Sequence, residues 1–202
     1  KSRTFSALME EINQIVVKRE EIIIDVMADG GEIPHWDTAQ IDLSGIHRLE
    51  IHSQPARDFA LASLGDLGDY TGEVLSVLRN VDQICQKDGF GTVRQMVVDG
   101  LEYILTVIDM SSNVLRLNLE KARYDMRTGE QMRKEVISLK SNLAAAPDLP
   151  SAKKMFVELE LTLTDWLKFL EILLQKYGEK QEDIGTSGDI RDEIKSQLTA
   201  LD

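Results

Sequence analysis

The sequence ALASLGDLGDYTGEVLSVLRNVDQIC, residues 60–85, carries small or apolar side chains alternately four and three residues apart. Such spacing places these side chains along one side of an α-helix, as in a heptad repeat. The positions concerned are Ala60, Leu64, Leu67, Thr71, Val74, Leu78, Val81 and Cys85. No proline occurs between residues 56 and 146, and helical spacing continues through most of that range. We therefore expect packed helices to dominate the fold, because proline would break a helix interior.

A segment with strand character lies before this proline-free range. Residues 21–28, EIIIDVMA, are rich in β-branched side chains and are followed by Asp29-Gly30-Gly31, a pattern that predicts a strand and a tight turn. Residues 46–52 alternate between apolar and polar side chains, which predicts a second strand in a sheet covered on one side. Ile33 beside Pro34 allows a third, short strand at an edge. Helical spacing in residues 4–19 predicts a helix before the sheet.

Start and stop signals divide the rest of the chain. Gly89 suits the left-handed end of a helix, and Thr92 suits the start of the next, whose core side we expect to include Met96 and Gly100,. Residues 128–130 interrupt or restart the helical pattern. Residues 147–150 form the clearest linker, and Ser151 is positioned to cap a helix that ends at residue 178,. The sequence therefore predicts several helices joined by short connections.

The predicted fold class is mostly α: an antiparallel helical bundle of four or five helices with a small two- or three-stranded N-terminal β-sheet. We expect residues 1–54 to form a helix and sheet packed on the bundle. Residues 55–178 would form the bundle itself, with Ser53-Gln54-Pro55 starting its first helix,. Residues 179–202 are polar and are predicted to contain a short helix over residues 189–201.

Composition and charge exclude some classes of partner. The formal net charge is −12, which disfavours binding to nucleic acid or to an anionic membrane surface. No apolar run approaches the roughly 20 residues that a membrane-spanning helix needs. The single cysteine, Cys85, rules out an internal disulfide and favours the cytoplasm,. The first residue is Lys1, so the sequence leaves open whether a targeting segment precedes it.

The helix after residue 150 has an apolar arc too broad for one neighbour to cover. One stripe runs through Phe156, Leu159, Leu163, Trp166, Leu170, Leu173 and Tyr177, and further apolar residues widen it. Such a helix lies either at the centre of the bundle or in an interface. The candidate interface residues are Val157, Leu161, Trp166, Phe169 and Ile172.

The row of small and apolar residues from Ala60 to Cys85 is called the seam. Three glycines of the same predicted helix, Gly65, Gly68 and Gly72, fall together on another side of it. Each costs about 1 kcal/mol relative to alanine in a helix interior. The functional interpretation is a row along which a partner helix or ligand approaches closely. The alternatives are close packing of a neighbouring element of the same chain and a helix broken near Gly65.

No constellation of catalytic residues is recognisable, and no family pattern can be matched residue by residue. His35, His47 and His52 occur near several carboxylates, which is the chemistry of a zinc or acid–base site. His47 and His52, however, should point to opposite faces of a strand. No phosphate-binding loop, nucleophile elbow or Glu-x-x-His pattern is present,. We expect no catalytic residues, no metal and no cofactor.

The sequence favours a non-enzymatic helical interaction protein: an adaptor, chaperone or regulatory subunit associating through apolar helix faces, including with copies of itself. The alternative is a small-molecule or metal-binding module, or an enzyme, that uses the segment from His35 to His52. A third hypothesis is a subunit that works only within a larger complex. The protein partner stays open in every case.

Overall fold

The computed structural model describes residues 4–36 and 41–178. In these ranges the six α-helices are α1 (Phe5–Lys18), α2 (Ala56–Arg79), α3 (Val81–Asp88), α4 (Phe90–Leu115), α5 (Gly129–Ala145) and α6 (Leu149–Gly178). The strands are β1 (Glu21–Ala28), β2 (Gly31–Glu32), β3 (Leu49–Pro55), β4 (Arg123–Tyr124) and β5 (Arg127–Thr128). The predicted fold class, a mostly helical chain with a small N-terminal sheet, is confirmed. The strands mean that the chain is not strictly all-α.

The described chain forms two compact units, which are residues 4–59 and residues 60–178. The predicted domain boundaries and the predicted packing of the N-terminal part on the bundle stay predictions. The predicted C-terminal segment, residues 179–202 with its short helix, lies outside the described residues.

The first unit consists of α1 and an antiparallel sheet with strand order β2-β1-β3. Its core is formed by the apolar side of α1 together with residues from the sheet: Phe5, Leu8, Met9, Ile12, Val16, Val26 and Ile33 are buried there. Val26 of β1 is paired with Ile51 of β3, and both side chains belong to this cluster. The neighbouring pair, Asp25 and His52, has the opposite parity and lies on the other face of the sheet.

The start of α2 differs from the prediction. Residues 53–55 do not cap the helix; they are the last residues of β3. The Ser53 hydroxyl donates to the Glu21 carboxylate at 2.7 Å, so it is occupied within the sheet. Pro55 ends an edge strand, where its missing N–H costs little. A strand therefore runs directly into a helix, with the amide of Ala56 bonded to the carbonyl of Glu20 at 2.8 Å.

The second unit is a helical bundle in which adjacent long helices run antiparallel. Two ion pairs show the antiparallel direction of α5 against α4: Arg133 pairs with Asp109, and Lys140 pairs with Glu102. The predicted seam is interrupted at Asn80, which separates α2 from α3. The Asn80 side-chain amide donates to the carbonyl of Ser76 at 2.8 Å, a local bond that competes with continued helix.

Gly89 separates α3 from α4 with a φ of 83°, the positive value that glycine adopts without strain. Helix α4 begins at Phe90, so the predicted start at Thr92 is wrong by two residues. It continues through residues 111–113 and ends at Leu115, and the next residue, Arg116, is left-handed. Strands β4 and β5 form a hairpin, and α5 starts anew after Thr128. There the Thr128 hydroxyl accepts from the amide of Gln131, and the Gln131 side chain accepts from the amide of Thr128. This capping box explains the predicted restart at residues 128–130.

The start of α6 uses Asp148 as its cap, not Ser151 as predicted. The Asp148 carboxylate accepts from the Ser151 amide at 2.9 Å and from the Ser151 hydroxyl at 2.6 Å. These two hydrogen bonds stabilise the charged carboxylate and lower the pKa of Asp148 below 3.8,.

Two glycines of the bundle lie where a side chain would not fit. A Cβ at Gly129 would stand 2.6 Å from Cζ of Phe169 and 3.2 Å from Cδ2 of Leu119. A Cβ at Gly100 would stand 3.0 Å from Cγ2 of Val74. These positions allow α6 to pack on the start of α5, and α2 to pack on α4.

We predict that Gly129→Ala lowers the free energy of unfolding by about 1–3 kcal/mol, because the buried Phe169 ring must move. Gly68→Ala is the matched control, since its Cβ would meet nothing within 4 Å. That change is expected to raise the free energy of unfolding by about 0.5–1 kcal/mol through helix propensity. Urea unfolding measures both values. A Gly129→Ala protein as stable as the parent would contradict the close approach.

A second prediction concerns acid stability. Since the folded-state pKa of Asp148 lies below its unfolded value of 3.8, its stabilisation is fully present above that value. The stabilisation is lost as the pH falls through the lower folded-state pKa. Asp148→Ala should therefore lower Tm at neutral pH, with a difference from the parent that shrinks between about pH 5 and pH 2. Asp148→Asn keeps an oxygen acceptor without the charge and is the control. A Tm difference that stays constant over this range would refute the linkage.

Candidate functional site

The five candidate interface residues of α6 separate into two groups. Trp166 and Phe169 are fully buried in the core of the bundle, with ring centroids 5.6 Å apart. Val157, Leu161 and Ile172 have exposed fractions of 58%, 65% and 43%. The two aromatic residues are therefore core residues, and only the three aliphatic residues lie on the surface. The broad arc is covered on one side only.

The exposed residues of α6 continue onto the β4–β5 hairpin. Arg127 pairs with Asp165, and the Lys168 ammonium lies 5.9 Å from the centre of the Tyr124 ring. Asp165 and Lys168 occur between Leu161 and Ile172 along α6, so these contacts place the hairpin beside the exposed stripe. Met126, at the hairpin turn, is itself highly exposed. We call Val157, Leu161, Ile172 and Met126 the α6 patch.

The row formed by Gly65, Gly68 and Gly72 has no close neighbour in the part of the chain that the structure describes. A Cβ at any of the three positions would meet no atom of another element within 4 Å. Close packing on this row is therefore not found among residues 4–36 and 41–178, and α2 is unbroken at Gly65. The close approaches occur instead at Gly100 and Gly129. Spacing along a helix shows which glycines share a face, but not which face meets a neighbour.

A second group of apolar side chains lies exposed on α4. Met96, Tyr103 and Met110 are 47%, 49% and 36% exposed. Met96 was predicted on the core side, and this placement is wrong. These three residues are seven positions apart, a spacing that also occurs in the buried seam. Periodicity alone therefore shows that they share a face, but not whether that face is buried.

The histidine segment does not assemble a metal site in the ranges 4–36 and 41–178, where no three metal-ligating side chains group together. His52 Nδ1 lies 2.7 Å from Oδ2 of Asp25 in an exposed pair. The amide of His47 donates to the Asp29 carboxylate at 3.1 Å, and that carboxylate also accepts from the amide of Arg48 at 2.7 Å. The carboxylate of Asp29 is therefore used to hold the chain before β3.

An open polar depression of about 740 Å³ lies beside the end of α4. Within it the Arg133 guanidinium donates to both carboxylate oxygens of Asp109, at 2.7 and 2.6 Å. This double hydrogen bond raises the pKa of Arg133. Because each group satisfies the other and joins α4 to α5, the pair acts in packing.

The single cysteine behaves as a core residue. Cys85 is buried, and desolvation raises the pKa of its thiol. A raised pKa keeps the sulfur protonated and poorly nucleophilic at neutral pH.

Comparisons of the chain with protein-family models, with curated proteins and with solved structures find no match. None of the helices in the described ranges combines the length and the apolar character needed to cross a bilayer. The functional argument therefore depends on the two exposed apolar surfaces.

Because Phe169 of α6 is buried and Leu161 is exposed, substitutions at the two positions should differ in their effect on stability. Leu161→Ser should change the free energy of unfolding by less than about 0.5 kcal/mol, because the side chain is already in water. Phe169→Ala should cost about 3–5 kcal/mol, because it leaves a cavity in the core. Chemical unfolding at low protein concentration measures both and limits any contribution from association. Equal costs for the two variants would contradict the assignment of Leu161 to the surface.

Proposed function

We propose that the protein is a non-enzymatic helical interaction protein, such as an adaptor, chaperone or regulatory subunit, that associates through apolar helix faces. The observation that carries the proposal is the α6 patch. Monomeric proteins expose single apolar residues routinely, but grouped ones mark interaction sites. In the α6 patch three aliphatic side chains follow one helix, and a methionine stands at the turn beside them.

We propose in addition that the α6 patch associates with a second copy of the chain. Val157 and Leu161 are four residues apart, and Ile172 follows three helical turns later, so they form a stripe suited to helix-to-helix packing. Charged side chains beside the stripe are engaged within the protomer: Lys154 pairs with Glu158, and Asp165 pairs with Arg127. The pairing lowers the cost of covering this surface.

A cytoplasmic setting is part of the proposal. It is supported by a single buried cysteine, because reducing compartments keep thiols free. The net charge of −12 supports a protein partner over nucleic acid. The alternative function, a metal-binding or catalytic segment from His35 to His52, gains no supporting observation from the described residues.

Light scattering coupled to size-exclusion chromatography tests self-association. The parent protein should show more than one copy per particle, and Leu161→Asp should shift it to the monomer, because a carboxylate would have to be buried in the interface. Val17→Asp is the matched control, since Val17 of α1 is 58% exposed and does not belong to the α6 patch. A parent protein that stays monomeric at high concentration would overturn the self-association.

A further inference from the structure

A second surface of the bundle combines apolar and acidic groups. It is built around Met96, Tyr103 and Met110, the three exposed residues of α4. Seven residues correspond to nearly two turns, so the three side chains follow one line along the helix over about 21 Å. This line begins and ends with methionine and has tyrosine at its centre.

Helix α2 extends the same surface. The Tyr70 ring packs edge-on against Tyr103, with ring centroids 4.7 Å apart and planes inclined at 68°. Gly100 makes this approach feasible, since a Cβ there would lie only 3.2 Å from the Tyr70 hydroxyl. Tyr70, Met96, Tyr103 and Met110 therefore belong to one continuous surface, which we call the α2–α4 face.

Unneutralised carboxylates border this face. Asp66, Asp69 and Glu73 are exposed on α2 and lie within four residues of Tyr70, and we call them the acidic rim. None of them forms an ion pair with a residue in the part of the chain that the structure describes. On the other border Asp99 of α4 accepts from the neutral amide of Gln95, at 2.8 Å, and has no cationic partner among the described residues.

Carboxylates elsewhere on α4 have cationic partners. Glu102 pairs with Lys140, and Asp109 pairs with Arg133, both on α5. Whether a carboxylate has a cationic partner depends on where it lies. Those that face a neighbouring helix form ion pairs within the chain, and those beside the α2–α4 face form none with the described residues. The negative charge of this face is therefore available to a cation from another molecule.

We infer that the α2–α4 face binds a basic amphipathic helix of a partner protein. The apolar side of that helix would cover the methionines and tyrosines, and its Lys or Arg side chains would reach the acidic rim and Asp99. Methionine adapts its shape to different apolar partners, and tyrosine supplies a large contact area with a polar end. Nucleic acid and anionic lipid are repelled by the same carboxylates, and a second copy of this chain brings a net charge of −12,.

The test uses a fluorescein-labelled model peptide, a helix with leucines on one side and lysines on the other, and follows fluorescence anisotropy at physiological salt. The full chain should bind the peptide. A rim variant, with Asp66→Asn, Asp69→Asn and Glu73→Gln together, should weaken binding about tenfold, and added salt should weaken binding to the parent protein. A face variant, with Met96→Ser and Tyr103→Ser, should weaken binding to a similar degree while Tm changes little.

Matched variants separate this face from general attraction between opposite charges. The charge control changes Glu10, Glu32 and Glu171 to glutamine; these residues are also exposed and form no ion pair within the described chain. The apolar control combines Val157→Ser with Leu161→Ser in the α6 patch. Each control should weaken binding less than about twofold.

Each of four other results would overturn the inference. Equal losses in the rim variant and the charge control would indicate attraction to net charge alone. Equal binding of a scrambled peptide with no apolar side would show that contacts with the methionines and tyrosines do not contribute to binding. A loss confined to the apolar control would assign the peptide to the α6 patch. Absence of peptide binding, with a face variant that changes the oligomeric state, would make the face a contact between copies.

Discussion

The packing of Phe169 onto Gly129 is the contact on which the arrangement of the bundle depends. Because position 129 has no side chain, the ring of Phe169 reaches the backbone at the first residue of α5 and also approaches Leu119. Three elements meet at this point: α6, the start of α5 and the connection that follows α4. A larger residue at position 129 would separate them, since protein cores have almost no spare volume.

The same contact determines what α6 exposes. Trp166 and Phe169 point into the core, and this fixes which side of the helix is buried. Residues about half a turn away must therefore face outward. Leu161 and Ile172 are placed outside in this way. The hairpin before α5 is held beside them by the pairing of Arg127 with Asp165, which brings Met126 to the same region. The exposed patch is thus a consequence of how the core is ordered.

Helical periodicity predicted the elements well, because apolar spacing reports directly which residues share a side of a helix. It identified the seam of α2, the glycine between α3 and α4, and the restart near residue 129. Periodicity does not report whether a side is covered, so Met96 was assigned to the interior and Phe169 to an interface. For the same reason the spacing of glycines did not single out Gly100 and Gly129, which meet neighbours that are distant in sequence; the row of Gly65, Gly68 and Gly72 as an approach for a partner stays a prediction. The cap at Asp148 was missed because both Asp148 and Ser151 suit the start of a helix.

The broad apolar arc of α6 singled out Val157, Leu161 and Ile172 from the sequence, but not which members of that arc are exposed, and it gave no indication of the α2–α4 face. Exposure of Val157 and Leu161 follows from the position of α5 and the hairpin, and pairing of carboxylates follows from which helices are adjacent. Asp109 and Asp99 are chemically identical and belong to the same helix, yet only Asp109 faces the arginine of α5. Long-range partners of this kind have no local signature.

The acidic rim also imposes a cost on the isolated protein. Asp66, Asp69 and Glu73 are three and four residues apart, so like charges are adjacent on the surface of α2 and repel one another,. The glycines of the same helix add to that cost, because no described residue packs within 4 Å of the position that a Cβ would take there,. A bound cationic helix would relieve the repulsion, and any ligand that binds the folded state alone stabilises it. The features that weaken α2 in isolation would then become favourable in the complex, which connects the composition of this helix to association.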